Sequence, residues 1–145
     1  MAPTIAELAG ATPPAFVDGR SLAPLLWGDP PLVSRQAAFI ELFATAQGSE
    51  SQPGAAESSE PGKSAKDVPP YRALRTTEAV YVEYESGERE LYDLRVDPYQ
   101  LENLANNADP PLVDGYSTRL AKLARCAGDT CQVAEDAPIE GIRLP

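Results

Sequence analysis

The sequence contains no histidine in its 145 residues. Histidine titrates near neutral pH and is a frequent metal ligand, so its absence removes the commonest general base. It also excludes Ser–His and Cys–His nucleophile pairs within this chain. The only cysteines are Cys126 and Cys131. Because a zinc site needs three or four cysteine or histidine ligands, this chain cannot build one from nitrogen and sulfur donors.

Long apolar runs and an excess of cations are also missing. No stretch approaches the roughly 18 apolar residues of a membrane-spanning helix, so we expect no membrane partner. Twelve Lys and Arg residues stand against twenty-two Asp and Glu, a formal net charge of −10. This charge repels phosphates, so we expect no nucleic-acid partner. The first residues do not resemble a signal peptide, and if the parent protein is exported, its signal is expected upstream of Met1.

Other signatures of chemistry are absent too. The sequence has no EF-hand-like run of alternating Asp and Asn, and no glycine-rich loop follows a predicted strand. Acidic pairs such as Glu88 with Glu90 arise by chance in so acidic a chain, and they are no evidence for acid–base catalysis. We therefore name no catalytic, cofactor-binding or metal-binding residue in this chain.

Residues 1–45 combine short helical segments with one strand. Pro3 suits the first turn of a helix, and Gly10 follows as its end. Ser21 can cap a second short apolar segment. Residues 36–43 (QAAFIELF) predict a strand, although a buried helix has a similar pattern.

The next segment, residues 46–69, lacks the side chains that build a core. It contains Ser, Glu, Gly, Pro and Ala but no aromatic residue, Leu or Ile. Too little apolar surface is present to offset the entropy of ordering. We predict a disordered acidic Ser/Pro/Gly-rich loop between two strands of one domain, with an interdomain linker as the alternative.

Residues 70–131 have the most regular pattern. Residues 71–76, 79–84 and 89–94 are rich in β-forming side chains and predict a hairpin within a small antiparallel sheet. Asp97-Pro98 predicts a helical turn, and Asp109-Pro110 predicts a helix that ends at Gly128. Residues 132–145 are expected to form a flexible tail. The predicted fold is α+β, a small antiparallel sheet with a packed C-terminal helix.

The two cysteines allow three interpretations. Cys126 and Cys131 are separated by four residues, so a local disulfide can close the intervening turn. Two free thiols or a redox-active pair are the alternatives, although the spacing is not that of a C-x-x-C motif. The location of the protein stays unknown. A disulfide would imply an oxidising compartment, and hence an extracellular or exported protein.

Four stretches together, in order, resemble the sulfatases, in particular the arylsulfatase and N-acetylglucosamine-6-sulfatase-like branch of the alkaline-phosphatase-like superfamily. They cover about residues 2–131. The stretches are residues 2–10 (APTIAELAG), 17–26 (VDGRSLAPLL), 75–82 (RTTEAVYV) and 90–105, which begins with ELYDL and ends with ENLA.

The resemblance implies that residues 1–45 hold the last helical segment of an alkaline-phosphatase-like α/β domain and the first strand, and that residues 70–131 form the sulfatase C-terminal subdomain. Sulfatases use an oxidised cysteine or serine in a Cys/Ser-x-Pro/Ala-x-Arg motif, which neither Cys126 nor Cys131 matches. The implied partner is the missing catalytic domain, and the complete enzyme is expected to bind calcium. Some relatives also end near a cysteine pair placed like Cys126 and Cys131.

Three residues are candidates for a substrate site, and several functional hypotheses compete. Tyr71, Arg72 and Arg75 lie on one strand and are candidates for the rim of the substrate cleft. One hypothesis is a C-terminal piece of a sulfatase, which lacks the nucleophile and the metal site and is expected to be inactive alone. The alternative is a stand-alone non-catalytic module that binds a protein or a sulfated glycan. A third hypothesis keeps the enzyme class but changes the substrate, because phosphodiesterases and phosphonate hydrolases share the larger superfamily. The fragment hypothesis predicts an exposed apolar face around Ile5, Leu8, Leu22, Leu25, Leu26 and Trp27.

Overall fold

The chain forms one four-stranded antiparallel sheet with helices before and after it. A computed structural model describes residues 2–14, 16–29, 35–43 and 68–138. The strands are β1 (Ala38–Leu42), β2 (Tyr71–Arg75), β3 (Ala79–Tyr84) and β4 (Arg89–Asp93), in the sheet order β1-β2-β3-β4. The helices are α1 (Ala2–Leu8), α2 (Ala23–Leu26), α3 (Pro110–Leu123) and α4 (Asp129–Asp136). The predicted α+β class, with a small antiparallel sheet and a packed helix, is confirmed.

Helix α3 covers one face of the sheet. The spacing of three and four residues along α3 places its apolar side chains on one side, where they bury against alternate residues of β2, β3 and β4. Tyr81 stacks on Tyr116 with ring centroids 5.7 Å apart. Each such side chain contributes about 1.5–3 kcal/mol when it leaves water. The buried set is Leu74, Tyr81, Leu91, Val113, Tyr116, Leu120 and Leu123.

The opposite face of the sheet is smaller and more aromatic. Ala73, Val80 and Val82 are buried there, and tyrosines pack around them. Tyr71 and Tyr84 are register partners on β2 and β3 and meet edge to face, with ring centroids 5.7 Å apart. The sheet therefore has an apolar side under α3 and a tyrosine-rich side.

The free edge of β4 is covered by the side chain of Asn103. Its Oδ1 accepts hydrogen bonds from the amides of Leu91 and Ala105, and its Nδ2 donates to the carbonyl of Arg89 at 3.0 Å. The Leu104 amide donates to the Leu91 carbonyl at 2.8 Å. Because an open strand edge invites pairing with another chain, this asparagine gives β4 a partner that is not a strand.

The structure differs from the expected pattern in three places. Residues 97–100 form turns and not a helical turn. Helix α3 ends at Leu123 instead of reaching Gly128. Gly128 has a φ of 55° and directly precedes α4. Residues 132–136, expected in a flexible tail, belong to α4, because contacts from distant residues hold that helix. Residues 139–145 and most of the predicted loop, 46–67, lie outside the described residues.

Candidate functional site

Helices α1 and α2 are joined by one buried hydroxyl. Residues 2–14 and 16–29, which we call the arm, contain both helices. The Oγ1 of Thr4 accepts a hydrogen bond from the Leu22 amide at 3.0 Å, and Thr4 is buried. The Oγ of Ser21 accepts from the Ala23 amide at 3.1 Å, but Leu22 and not Ser21 occupies the N-cap position of α2, so the predicted cap is displaced by one residue. The first two family-like stretches of the sequence are therefore in direct contact.

Polar contacts join the arm to the rest of the chain. Asp18 accepts a hydrogen bond from the Gly128 amide at 2.6 Å, inside the loop that Cys126 and Cys131 close. The guanidinium of Arg20 donates to the Gln132 carbonyl at 3.1 Å and to a carboxylate oxygen of Asp136 at 3.1 Å. The predicted Cys126–Cys131 disulfide is confirmed, and it lies next to the point where the arm attaches.

A cleft of about 470 Å³ lies beside this attachment, but its charges are already paired. Arg20 and Arg35 both line it, and both contact Glu135, at 3.3 Å and 2.9 Å. Two guanidiniums in a cleft would suit an anion, yet here the carboxylate of Glu135 takes that place. We interpret the cleft as part of the attachment and not as a ligand site.

The outer surface of the arm is apolar and exposed. Between 42% and 69% of each of six large apolar side chains in and beside α1 and α2 remains accessible to solvent, and Phe16 of the arm is 81% accessible. Helix α2 buries only Ala23. This exposure, predicted for a piece of a sulfatase, is what the structure shows, and a contiguous apolar patch of this kind is typical of a contact surface. The arm surface consists of Ile5, Leu8, Leu22, Leu25, Leu26 and Trp27.

The three predicted rim residues do not form one cluster. Because side chains alternate along a strand, Tyr71 and Arg75 share the tyrosine-rich face and Arg72 lies on the other. Arg72 pairs with Glu41 of β1 at 2.7 Å. Tyr71 packs against Tyr84 at one end of β2, whereas Arg75 is exposed at the other end. Of the three, only Arg75 presents an exposed cation on the tyrosine-rich face.

Tyr84 and Tyr92 of the sheet and Tyr116 of α3 have a raised pKa. Burial, followed by the charge of Glu90, raises the pKa of Tyr84 and of Tyr92 above the ordinary value. The Tyr84 hydroxyl donates to Glu90 at 3.2 Å. Burial raises the pKa of Tyr116 to about 12. These phenols can donate hydrogen bonds but are not activated as bases or nucleophiles.

A turn after β4, residues 95–102, is held by two aspartates, and we call it the stapled turn. Asp93 is 3% exposed, and its Oδ1 accepts from the amide and the Nε of Arg95, both at 2.9 Å. These contacts hold the pKa of Asp93 below its usual range. Asp97 Oδ2 accepts from the amides of Leu101 and Glu102, at 2.7 and 2.9 Å.

The stapled turn exposes three large apolar side chains that the sequence analysis missed. Val96, Tyr99 and Leu101 are each at least 80% accessible. The signal was present in the sequence, since three apolar residues occur within a short polar segment. The expected helical turn at 97–100 hid it, because a helix would have placed some of them against the sheet.

Among the described residues, no group of three or more His, Cys, Asp or Glu side chains is placed to hold a metal ion. None of the described helices is both long enough and apolar enough to cross a bilayer.

Known proteins resemble the chain along most of its length. No protein-family model matches it. It is 31% identical to N-acetylglucosamine-6-sulfatase of Homo sapiens in an alignment of 148 positions that covers 91% of this chain and 26% of that protein. The chain therefore spans about a quarter of the length of the curated relatives it matches.

Solved structures share the fold. A protein solved with its substrate, D-glucosamine-2-N,6-O-disulfate, superimposes with a TM-score of 0.64 at 21% identity, covering 97% of this chain and 25% of that one. Phosphonate monoester hydrolase of Agrobacterium radiobacter gives a TM-score of 0.61 at 32% identity, covering 84% of this chain and 23% of that one. The sheet with its packed helix is the architecture found within alkaline-phosphatase-like hydrolases.

Within that class, the four sequence stretches and the curated relatives agree. The chain belongs with the sulfatases, and the match fits a C-terminal portion of such a protein.

Proposed function

We propose that this chain is the part of a sulfuric ester hydrolase that completes and supports a separate catalytic portion, and that it does not turn over substrate alone. The arm surface is the observation that carries this proposal. Six large apolar side chains on two short helices face solvent, and burial against a larger partner would remove them from water. The stand-alone binding module is less well supported, because such a module should have covered this face.

The proposed substrate of the complete enzyme is a sulfate ester on an amino sugar. The support is the name of the curated relatives, N-acetylglucosamine-6-sulfatase. The likeness to phosphonate monoester hydrolase makes phosphonate monoesters the alternative substrate class. A calcium ion, which the sulfatase resemblance implies, would be bound by the catalytic portion. The described residues do not fit it, since no group of three or more His, Cys, Asp or Glu side chains among them is placed to hold a metal ion.

The proposal is tested with two purified proteins. One is this chain, and the other is human N-acetylglucosamine-6-sulfatase made without the stretch that matches it. The chain alone is expected to give no hydrolysis of 4-nitrophenyl sulfate. Mixed with the human remainder, it is expected to bind. Turnover by the pure chain would contradict the first expectation, and absence of binding would contradict the second and favour the stand-alone module.

Arg75 is the rim residue that we retain as a proposal. In a complete enzyme, Arg75→Gln is expected to raise KM for an anionic sulfate ester several-fold. An exposed cation at the rim of the substrate cleft of that enzyme would attract the substrate. Arg72→Gln is the matched control on the same strand, since Arg72 already pairs with Glu41. Equal KM values for Arg75→Gln and the unchanged enzyme would remove Arg75 from the rim.

A further inference from the structure

The stapled turn is ordered by its own hydrogen bonds. The Asp93 carbonyl accepts from the amides of Val96 and Asp97, at 3.3 and 2.8 Å, and Asp97 closes the far side through Leu101 and Glu102. Gln100 adopts a φ of 57°, which is unfavourable for a residue other than glycine. Such strain persists where the surrounding contacts determine the conformation, and it is concentrated at functional positions.

The ordered turn holds three apolar side chains in positions where they remain exposed to solvent. The side chains of Val96, Tyr99 and Leu101 are 80%, 81% and 84% accessible, more than any large apolar side chain of the arm surface. A flexible apolar loop would collapse onto the core or lose entropy on binding. A turn that is already fixed avoids most of that entropy loss when a partner covers it.

The stapled turn and the point where the arm attaches lie at the same end of the sheet. The register aligns Ala38 at the start of β1 with Arg75, Val80 and Tyr92 across the sheet. Just before β1, the Gln36 and Ala37 amides donate to the Glu135 carbonyl, and Arg20 of the arm contacts the Glu135 side chain. Strand spacing of about 4.8 Å separates β1 from β4 by roughly 14 Å. One large partner can therefore reach both surfaces.

We propose that the stapled turn is a second docking surface for the same catalytic portion that the arm surface binds. This inference rests on the proposed function. It commits to that occupant because the chain spans only about a quarter of its relatives' length and because the stapled turn and the attachment of the arm lie at the same end of the sheet. The partner surface is an apolar pocket with a hydrogen-bonding group at its rim for the Tyr99 phenol.

Binding to the human remainder described above tests the inference. The turn variant carries Tyr99→Ser with Leu101→Ser, which keeps the backbone amide that Asp97 binds. The arm variant carries Leu25→Ser with Leu26→Ser. The control is Val133→Ser on α4, since Val133 is also exposed, at 72%. Thermal unfolding of each variant is measured first, and Val96→Ser replaces the turn variant if that variant unfolds.

We expect the turn variant to weaken binding about tenfold or more, as loss of a buried aromatic contact does, and Val133→Ser to change it less than twofold. If the arm variant weakens binding while the turn variant stays within twofold, the second surface is refuted and the proposed function stands. If the unchanged chain does not bind the remainder at all, both proposals fail.

Discussion

The sheet and the arm belong to the same chain but place their apolar side chains in opposite environments. Beneath α3, leucines and tyrosines are almost completely buried, and each contributes to folding. In the arm, leucines of similar size face solvent, and the arm is held by an aspartate, an arginine and a backbone amide. The comparison shows that one part of the chain is stabilised by its own core, whereas the other leaves large apolar side chains exposed to solvent.

The largest effect is expected where a core leucine is shortened. Leu120 is 1% exposed, so Leu120→Ala should lower the free energy of unfolding of the isolated chain by about 2–5 kcal/mol. Leu26→Ala in the arm should change it by about 0.5 kcal/mol or less, because that side chain is already in water. Urea unfolding measures both, and equal losses would break the distinction between core and arm.

Removing the disulfide should affect both regions at once. The double substitution Cys126→Ser and Cys131→Ser opens a short loop, for which chain entropy predicts a loss of about 2 kcal/mol. The Gly128 amide lies in that loop and donates to Asp18, so its hydrogen exchange should become faster than that of the β3 amides. Unchanged exchange at Gly128 would mean that the loop keeps its shape without the bond.

A smaller effect is expected from Arg20→Gln. The substitution removes the ion pairs to Glu135 and Asp136. The free energy needed to detach the arm from α4 should therefore fall by about 1–2 kcal/mol. Faster proteolysis within the arm, with an unchanged unfolding midpoint of the sheet, is the expected result. Arg72→Gln is the control, since its partner Glu41 lies within the sheet. If both variants behave alike, Arg20 does not hold the arm.

The smallest effect concerns acid and the stapled turn. The Arg95 guanidinium lowers the folded pKa of Asp93, so its contribution to stability is fully present above the unfolded value, roughly 3.9. This contribution is lost as pH falls through the folded pKa. Asp93→Asn should therefore destabilise the chain at pH 7, and the difference should shrink as the pH falls below the unfolded value. A constant difference across this range would assign the loss to packing instead.

Local patterns predicted the strands and α3 to within a few residues, because alternation over β3 and the spacing of Tyr116 and Leu120 depend on near neighbours. The exposed arm surface was predicted from the sulfatase resemblance, because a piece of a larger protein should expose the face that the rest would cover. Helix α4 was missed because Arg20, more than one hundred positions away, contacts it. The scattered positions of Arg72 and Arg75 were not anticipated, although strand alternation alone separates their faces. The stapled turn was missed because Asp97-Pro98 has the pattern of a helix start.

The pairing of β1 with β2 bears on how far the length of the segment between them can vary among relatives. Leu42 and Tyr71 are paired, so the ends of the two strands lie side by side, whatever their separation along the chain. The entropy of closing a loop grows only logarithmically, by about 0.6 kcal/mol for each doubling of its length. Relatives can therefore differ widely in length between these strands, and a whole folded domain can be inserted there while the sheet is preserved.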